Sequence, residues 1–377
     1  MRPTRAEVHV DHFIANLRFV RRQVGPRARI MPIVKANAYG HSLEIIARAA
    51  LKSGEASAFG VATEEEGVLL RAITSLPILV LTGALFAEID VFLEHQLDFT
   101  VTDVETLRAI AARARALGLR ARVHLKVDTG MRRMGVEPAD AIAFLREIES
   151  LSDCIELAGL STHFATSDEP DSLFFKQQIS KFATVVREAR DAGIVIPTVH
   201  AANSGAILQA PRESAFDMVR PGIMLYGYAP SFELQQQYGS ELSPPLALVS
   251  QVVFKKNVKK GEGVSYNLRW FTPRDTAIVT VPIGYGDGYP RLLTNRAEAT
   301  ISGKAYPVVG TVCMDQVMLD VGGEDNRSSI PVQVGNRVEF ISASSEGINA
   351  WTLARTIDTI PYEILTGIAA RVPRVEV

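Results

Sequence analysis

SLFFKQQISKFATVVREARDAG, residues 172–193, reads as one amphipathic helix. Phe175, Ile179, Phe182, Val186 and Ala189 follow at spacings of four, three, four and three, which places them on one face of a 3.6-residue period. Gly193 comes next as the stop, since glycine accepts the left-handed conformation that ends many helices. Short apolar runs flank the helix, Glu156–Ser161 before it and Thr198–His200 after it. Strand, helix, strand in that order is the building unit of a parallel sheet.

The same alternation extends in both directions. Strands are predicted at Arg29–Val34, Ala58–Val61, Ile78–Leu81, Asp98–Val101, Ala121–Val127, Glu156–Ser161, Thr198–His200 and Phe216–Val219, with helical patterns between them. Eight such strands predict an α/β fold, a (β/α)8 TIM-type barrel, with a doubly wound open sheet as the alternative. After Ser243-Pro244-Pro245 the pattern changes. Ala247–Phe254, Ala277–Pro282, Ala299–Ile301, Tyr306–Val309 and Arg337–Ile341 are short and strand-like, with no long helical period until Ala350–Ile357. We expect residues 8–240 to form the barrel and residues 241–377, with 1–7, a mostly β domain.

A length of 377 residues accommodates two domains of this kind. The formal charge of −2 and the absence of a long basic run argue against nucleic acid as the main partner. Lys255-Lys256 and Lys259-Lys260 form the densest basic stretch and read as a solvated loop or strand edge. Cys154 and Cys313 build neither a disulfide framework nor a zinc site, so a reduced, cytoplasmic setting is expected. Residues 1–7 lack the apolar run of a signal peptide, and no stretch of about 18 apolar residues predicts a membrane span.

Active groups of a barrel sit at the C-terminal ends of its strands. The first strand runs into Val34-Lys35-Ala36-Asn37-Ala38-Tyr39-Gly40-His41. A lysine there is either a salt-bridged barrel lysine or, with its pKa lowered by burial, an amine able to condense with an aldehyde, of which pyridoxal phosphate is the commonest protein-bound example. The fifth strand runs into Lys126-Val127-Asp128-Thr129-Gly130-Met131-Arg132-Arg133, the sixth into His163, the seventh into His200-Ala201-Ala202-Asn203-Ser204 and the eighth into Arg220-Pro221-Gly222-Ile223. The last two loops are the usual phosphate site of this architecture, where Ser204, Gly222 and Ile223 could offer a hydroxyl and amides. Taken singly, most of these residues have ordinary readings: Tyr266 a strand tyrosine, His163 a core histidine, Arg132-Arg133 a solvated turn. Gly284-Tyr285-Gly286-Asp287-Gly288 lacks the βαβ setting of a nucleotide loop and reads as a turn. Asp168-Glu169 reads as helix capping or loop solvation, and no metal site is expected.

Taken together they resemble the alanine racemase family, over nearly the whole chain. The resemblance is carried by Val34–His41, Lys126–Gly135, His163–Glu169, Asn203-Ser204, Arg220–Ile223, Val264-Ser265-Tyr266, Ile283–Gly288, Val312–Asp315 and Thr359–Glu363. It implies pyridoxal 5'-phosphate as cofactor, held by Lys35 as a Schiff base, and a two-base racemisation in which Lys35 works one face of the substrate and Tyr266 of a second subunit the other. Arg220 matches the arginine facing the pyridine nitrogen and His163 the histidine bonded to it. Tyr39, Ser204, Gly222, Ile223 and Tyr362 match the phosphate-binding set. Arg133 matches the arginine near the cofactor phenolic oxygen and the substrate carboxylate. Met314 and Asp315 match partner-subunit residues at the substrate mouth, with Tyr285 in the same substrate-binding group, and Lys126 matches a lysine carbamylated in several members. A homodimer with shared active sites, and a supply of D-alanine for peptidoglycan, are further implications.

Racemisation removes a proton from one face and returns one to the other, which suits two bases. Tyr266 starts from an ordinary pKa near 10, so it needs nearby cations to act as a base at neutral pH. Ser42 and Asn267 stand where the family favours glycine, and Arg132 stands at a varying position. Asn267 and Arg132 leave room for a serine or broad-specificity racemase. A non-catalytic pyridoxal-phosphate carrier is the reading from another class, against which the β domain bearing Tyr266 speaks.

Overall fold

The structure is a computed structural model and describes residues 2–322 and 332–377. Two compact units divide the chain: Ile14–Ala38 with Ile46–Leu242, and Met1–Phe13 with Tyr39–Ile45 and Ser243–Val377. Strand β1 (Arg5–Val8) belongs to the latter.

In the first unit β2 (Arg29–Ile30), β3 (Phe59–Val61), β4 (Ile78–Val80), β5 (Asp98–Val101), β6 (Ala121–Lys126), β7 (Ile155–Ser161), β8 (Val199–His200) and β9 (Met218–Val219) form one sheet, in the order β2-β9-β8-β7-β6-β5-β4-β3. Every pairing is parallel. The two ends of that order meet: the Ser57 amide donates to Ile30 O at 2.9 Å, the Gly60 amide to Pro32 O at 3.0 Å and the Val34 amide to Gly60 O at 2.9 Å. The sheet therefore closes into the barrel, and the open alternative is set aside. Closure under a jacket of helices leaves both strand faces dry, which is why Phe59, Val61, Val80, Phe99, Val123 and Leu125 are all buried.

Two strand ends differ from expectation. The first predicted strand, Arg29–Val34, is regular only to Ile30. Its course continues, with Met31 N to Val219 O at 2.9 Å and Ile33 N to Pro221 O at 3.0 Å, but Pro32 and Pro221 lack the N–H groups that a continuous ladder requires. The eighth begins at Met218 rather than Phe216, because Phe216 sits at φ 46. The helix that opened the sequence reading spans Leu173–Asp191, with Ser172 capping the Phe175 amide and Gly193 at φ 73 beyond its end. Its buried stripe is Phe175, Gln178, Phe182, Val185 and Ala189, so two expected positions, Ile179 and Val186, are each displaced by one residue. Gln178 is the reason for the first displacement. It is fully buried, accepts from the Ala165 amide at 2.9 Å and donates to Thr129 Oγ1 at 3.2 Å and His163 O at 3.3 Å.

The second unit is mostly β. Its larger sheet adds β10 (Leu246–Gln251), β15 (Glu298–Ile301), β16 (Lys304–Pro307), β18 (Arg337–Ile341) and β19 (Arg374–Glu376) to β1, in the order β16-β15-β18-β10-β1-β19. A three-stranded sheet has the order β11-β14-β17, from β11 (Phe254–Val258), β14 (Thr276–Val281) and β17 (Val317–Gly322), and β12 (Gly263–Val264) pairs with β13 (Trp270–Phe271). The single strand expected at Ala247–Phe254 is two: Val252 and Val253 carry the chain from one sheet to the other, with no glycine or proline to mark the switch. β17 escaped the sequence reading because Asp320 interrupts its apolar run, yet Asp320 is buried and bonded to Thr276 and Arg274. Lys255 and Lys256 lie exposed on β11, an edge strand, where charge discourages pairing with another chain. Among the described residues, no helix is long and apolar enough to cross a membrane.

Candidate active site

In the barrel unit, Lys35, Lys126, His163, Ser204, Arg220, Gly222 and Ile223 all stand at or just beyond the C-terminal ends of strands, with Arg133 in the loop after β6. The entry to this set is unusual. Ala36, Asn37, Ala38 and Tyr39 have φ of 53, 52, 53 and 52°, a left-handed turn in L-residues. Each such residue costs about 1–2 kcal/mol, so the turn persists only where neighbours hold it. Glu66 does so from the next βα unit: one oxygen accepts from the Asn37 amide at 3.2 Å and the other from Ala62 at 2.9 Å.

Val34 is fully buried, while Lys35 keeps part of its surface exposed. Its amine is nevertheless held below the ordinary lysine value, by desolvation of the ammonium and then by the Arg133 charge, with Glu66 opposing. Lys126 is pushed down further, to about 8, by desolvation and by the charges of Arg220 and Arg133. It lines a narrow crevice together with Asp128, Met131, Arg133 and His163.

Arg220 is 6% exposed. Its guanidinium donates to Thr162 O at 2.7 Å, His200 Nδ1 at 2.8 Å, Ala201 O at 3.0 Å and, more loosely, His163 Nδ1 at 3.4 Å. Burial lowers its pKa to about 10, so it stays a cation at neutral pH. Burial and that cation hold His163 well below its ordinary value, hence neutral. The Ser204 hydroxyl accepts from the Gly222 amide at 3.0 Å and the Met224 amide at 3.4 Å, which ties the loops after β8 and β9 together.

In the second unit, Tyr39 is buried and its ring lies 5.9 Å from that of Tyr362. Burial raises the Tyr39 phenol above its ordinary value, so it remains a hydrogen-bond donor. Tyr266 is not a strand residue: it lies in the turn between β12 and β13, 70% exposed, flanked by Ser265 at φ 66 and Asn267 at φ 61. Its backbone is tethered, with Thr311 Oγ1 donating to Tyr266 O at 2.8 Å and Ser265 Oγ to Thr311 O at 2.7 Å. The Gly284–Gly288 segment is a turn, as expected, and it zips against the Val312–Asp315 loop through Tyr285 N to Cys313 O at 3.0 Å and Gly286 N to Met314 O at 2.9 Å. A side chain at position 284 would begin 2.2 Å from Cys313 O, so only glycine permits this approach. Tyr285, Met314 and Asp315 are thereby presented on one exposed patch.

Models of the alanine racemase N-terminal and C-terminal domains match residues 8–230 and 246–376. The chain belongs to the alanine racemase family. An alanine racemase of Halothermothrix orenii is 40% identical over 376 residues, 99% of this chain and 96% of that one. One from Symbiobacterium thermophilum is 41% identical over 376 residues, 99% and 97% of the two chains. The solved alanine racemase of Clostridium difficile 630 superposes with a TM-score of 0.91 at 34% identity, covering 100% of this chain and 96% of that one. That of Bartonella henselae, described with covalently bound pyridoxal phosphate, has a TM-score of 0.87 at 26% identity, with both chains fully covered.

The donor set of the barrel mouth fits the cofactor of this family. Lys35 offers an amine of lowered pKa. Both lone pairs of the Ser204 hydroxyl are engaged by amides, so its proton is left to donate to an anion. Arg220 has five N–H donors, more than its contacts on the barrel wall consume. Among the described residues, no cluster of three or more His, Cys, Asp or Glu could hold a metal ion. The departures from the family pattern acquire a physical reading. Ser42 and Asn267, where glycine is common, have φ of 82 and 61°, so both positions demand the left-handed conformation that asparagine tolerates and serine resists.

Sequence reasoning gave no supporting role to Glu66, Gln178, His200, His124 or Asp287. Only His124 carried a signal, as a polar residue between Val123 and Leu125 in a strand buried on both faces. Asp287 is fully buried; Arg2 donates to Asp287 Oδ2 at 2.7 Å, Arg371 to Oδ1 at 2.8 Å and the Gly284 amide to Oδ2 at 3.0 Å. Arg371 continues to Asp315 at 2.8 Å, so this carboxylate organises the exposed patch. Burial works to raise the Asp287 pKa, but the bonds from Arg2 and Arg371 outweigh it and the net shift is below the ordinary 3.8. A depressed carboxylate stabilises the fold above that value and loses its contribution as the pH falls below it. Asp287→Asn is therefore expected to cost about 2–3 kcal/mol at pH 7, read from urea midpoints, because two arginines lose their partner. The gap to the native chain should narrow at pH 3, and equal midpoints at pH 7 would sink the clamp.

Proposed function

We infer that this chain interconverts L- and D-alanine, with pyridoxal 5'-phosphate as cofactor. The observation that carries the reading is that a low-pKa lysine, an anchored arginine and a serine hydroxyl with a proton to donate meet at one barrel mouth, in a chain covered end to end by one family. Lys35 would hold the cofactor aldehyde. Ser204 and the Gly222 and Ile223 amides would hold its phosphate, and Arg220, backed by His163, would face its ring nitrogen. When bound, the cofactor spreads the negative charge left on the substrate α-carbon as its proton departs.

Lys35 Nζ takes or returns the α-proton on one face of the substrate. The Tyr266 hydroxyl of a second copy does so on the other, which gives this exposed tyrosine and the patch of Tyr285, Met314 and Asp315 a common purpose. Arg133 pairs with the substrate carboxylate. Arg220 remains charged at neutral pH and would donate to the ring nitrogen without surrendering a proton, a weaker pull on the electrons than a protonated ring would exert. That restraint limits side reactions of the deprotonated substrate. Lys126, uncharged in part near neutral pH, is the candidate for carbamylation, which would convert a cation beside Arg133 into an anion. We assign residues 8–240 to the cofactor-bearing barrel and residues 241–377, with 1–7, to the β domain that completes the partner's site in a cytoplasmic homodimer. The product D-alanine serves peptidoglycan synthesis.

The test is a racemisation assay over a panel of amino acids, on protein reconstituted with the cofactor. Yellow protein and fastest turnover of alanine are expected. Fastest turnover of serine, or a flat ranking, would replace the reading with a serine or broad-specificity racemase. Cofactor uptake without turnover would leave a carrier.

A further inference from the structure

Inside the barrel a line of polar side chains runs away from Arg220. Arg220 donates to His200 Nδ1 at 2.8 Å, His200 Nε2 lies 2.9 Å from His124 Nδ1, and His124 Nε2 lies 3.3 Å from Asp98 Oδ2. Asp98 Oδ1 accepts from Arg122 Nε at 2.9 Å, and Arg122 also bonds Glu156. His200, Asp98 and His124 are 0, 2 and 4% exposed. Barrel interiors are ordinarily filled by branched apolar side chains, and each polar group placed there is costly unless bonded.

The fold is shaped to seat this line. The β6–β7 register shifts between Val123 and His124. Across from it stands Gly159, where a Cβ would lie 2.4 Å from His124 Nδ1. A bulge and a missing side chain together make room for one imidazole, which a leucine-filled core would not require.

The order of donors follows from the two ends. An arginine can only donate, so His200 Nδ1 accepts and its proton sits on Nε2. That proton goes to His124 Nδ1, which leaves the His124 proton on Nε2, directed at the Asp98 carboxylate. Burial and the Arg220 charge keep His200 well below its ordinary value, so it is neutral, as this order requires. At the other end, Arg220 stands among cations: it is one of the charges that depress Lys126.

We propose that Asp98, His124 and His200 are positioning residues for Arg220, a directional relay that locks the guanidinium in one orientation and supplies its counter-charge from inside the barrel. The relay acts on the cofactor only through Arg220, and so rests on the reading of Arg220 as the arginine that faces the ring nitrogen.

The first test needs no cofactor. Full-length protein labelled with ¹⁵N at histidine should show two neutral, Nε2-protonated imidazoles, assigned to His124 and His200 by single substitutions. A proton on Nδ1 of either ring, or a charged ring, overturns the relay whatever the enzyme proves to do. The second uses cofactor-loaded Asp98→Asn, which keeps the shape and removes the charge. We expect kcat to fall about 10-fold or more, as when the partner behind a metal-bound imidazole is lost. KM should stay within about twofold, and the absorption maximum of the bound cofactor should move. An unchanged spectrum and kcat with only a lower Tm would make the line structural and overturn the proposal. Loss of racemase activity in the native chain, with the expected tautomers present, would overturn the functional reading and leave the relay standing.

Discussion

Lys35→Ala is expected to leave a folded, colourless protein whose racemisation has fallen by roughly 10⁴-fold or more, because one side chain supplies both the cofactor attachment and a proton-transfer base. The fold itself should not suffer. A lysine whose folded pKa lies below its unfolded value destabilises the native state below that unfolded value, and so at neutral pH. The Lys35 amine is lowered by desolvation and by Arg133, so its removal relieves a burial cost and a repulsion. Thermal unfolding of the cofactor-free proteins should give the variant a Tm equal to or above that of the native chain. Retention of yellow colour after gel filtration, or of more than a hundredth of the native rate, would refute the assignment of Lys35. Borohydride reduction of the native protein followed by peptide mass mapping locates the attachment independently.

For Tyr266→Phe the expected loss is roughly 10²- to 10⁴-fold in the racemisation rate, the usual contribution of a positioned acid–base group. Racemisation must slow equally in both directions, since the equilibrium is unchanged. The informative measurement is exchange of the α-proton with solvent deuterium, followed separately from each enantiomer. The enantiomer whose proton faces Lys35 should retain exchange, and the other should lose it. Identical losses from L- and D-alanine would show that the two faces are not divided between these residues. The variant should be as stable as the parent, because a 70% exposed side chain makes little packing contribution to its own chain.

The helix at Leu173–Asp191 and the strands around it were legible because apolar period and flanking turn residues are local properties of the chain. The same logic failed where a buried position holds a polar group. Gln178 displaced the expected Ile179 from the helix stripe, and Asp320 hid β17, because both are satisfied by partners distant in sequence. The break between β10 and β11 was silent for a related reason: a change of sheet is decided by which edge is vacant, and Val252-Val253 suits either.

The sequence alone determined the (β/α) alternation, the β character of the C-terminal third, and the candidate residues Lys35, Arg133, His163, Ser204, Arg220 and Tyr266. Hydrophobic period and motif order are written along the chain and need no third dimension. Tertiary structure alone decided that the barrel closes through Ile30, Pro32, Val34 and Gly60, and that Ala36–Tyr39 wind left-handed under the hold of Glu66. It also decided that Arg220 is backed by His200, His124 and Asp98, contributed by three further strands. These are matters of distance between strands that sequence order does not encode, and the cost of burying a charge or a strained turn is met only by groups that folding brings alongside.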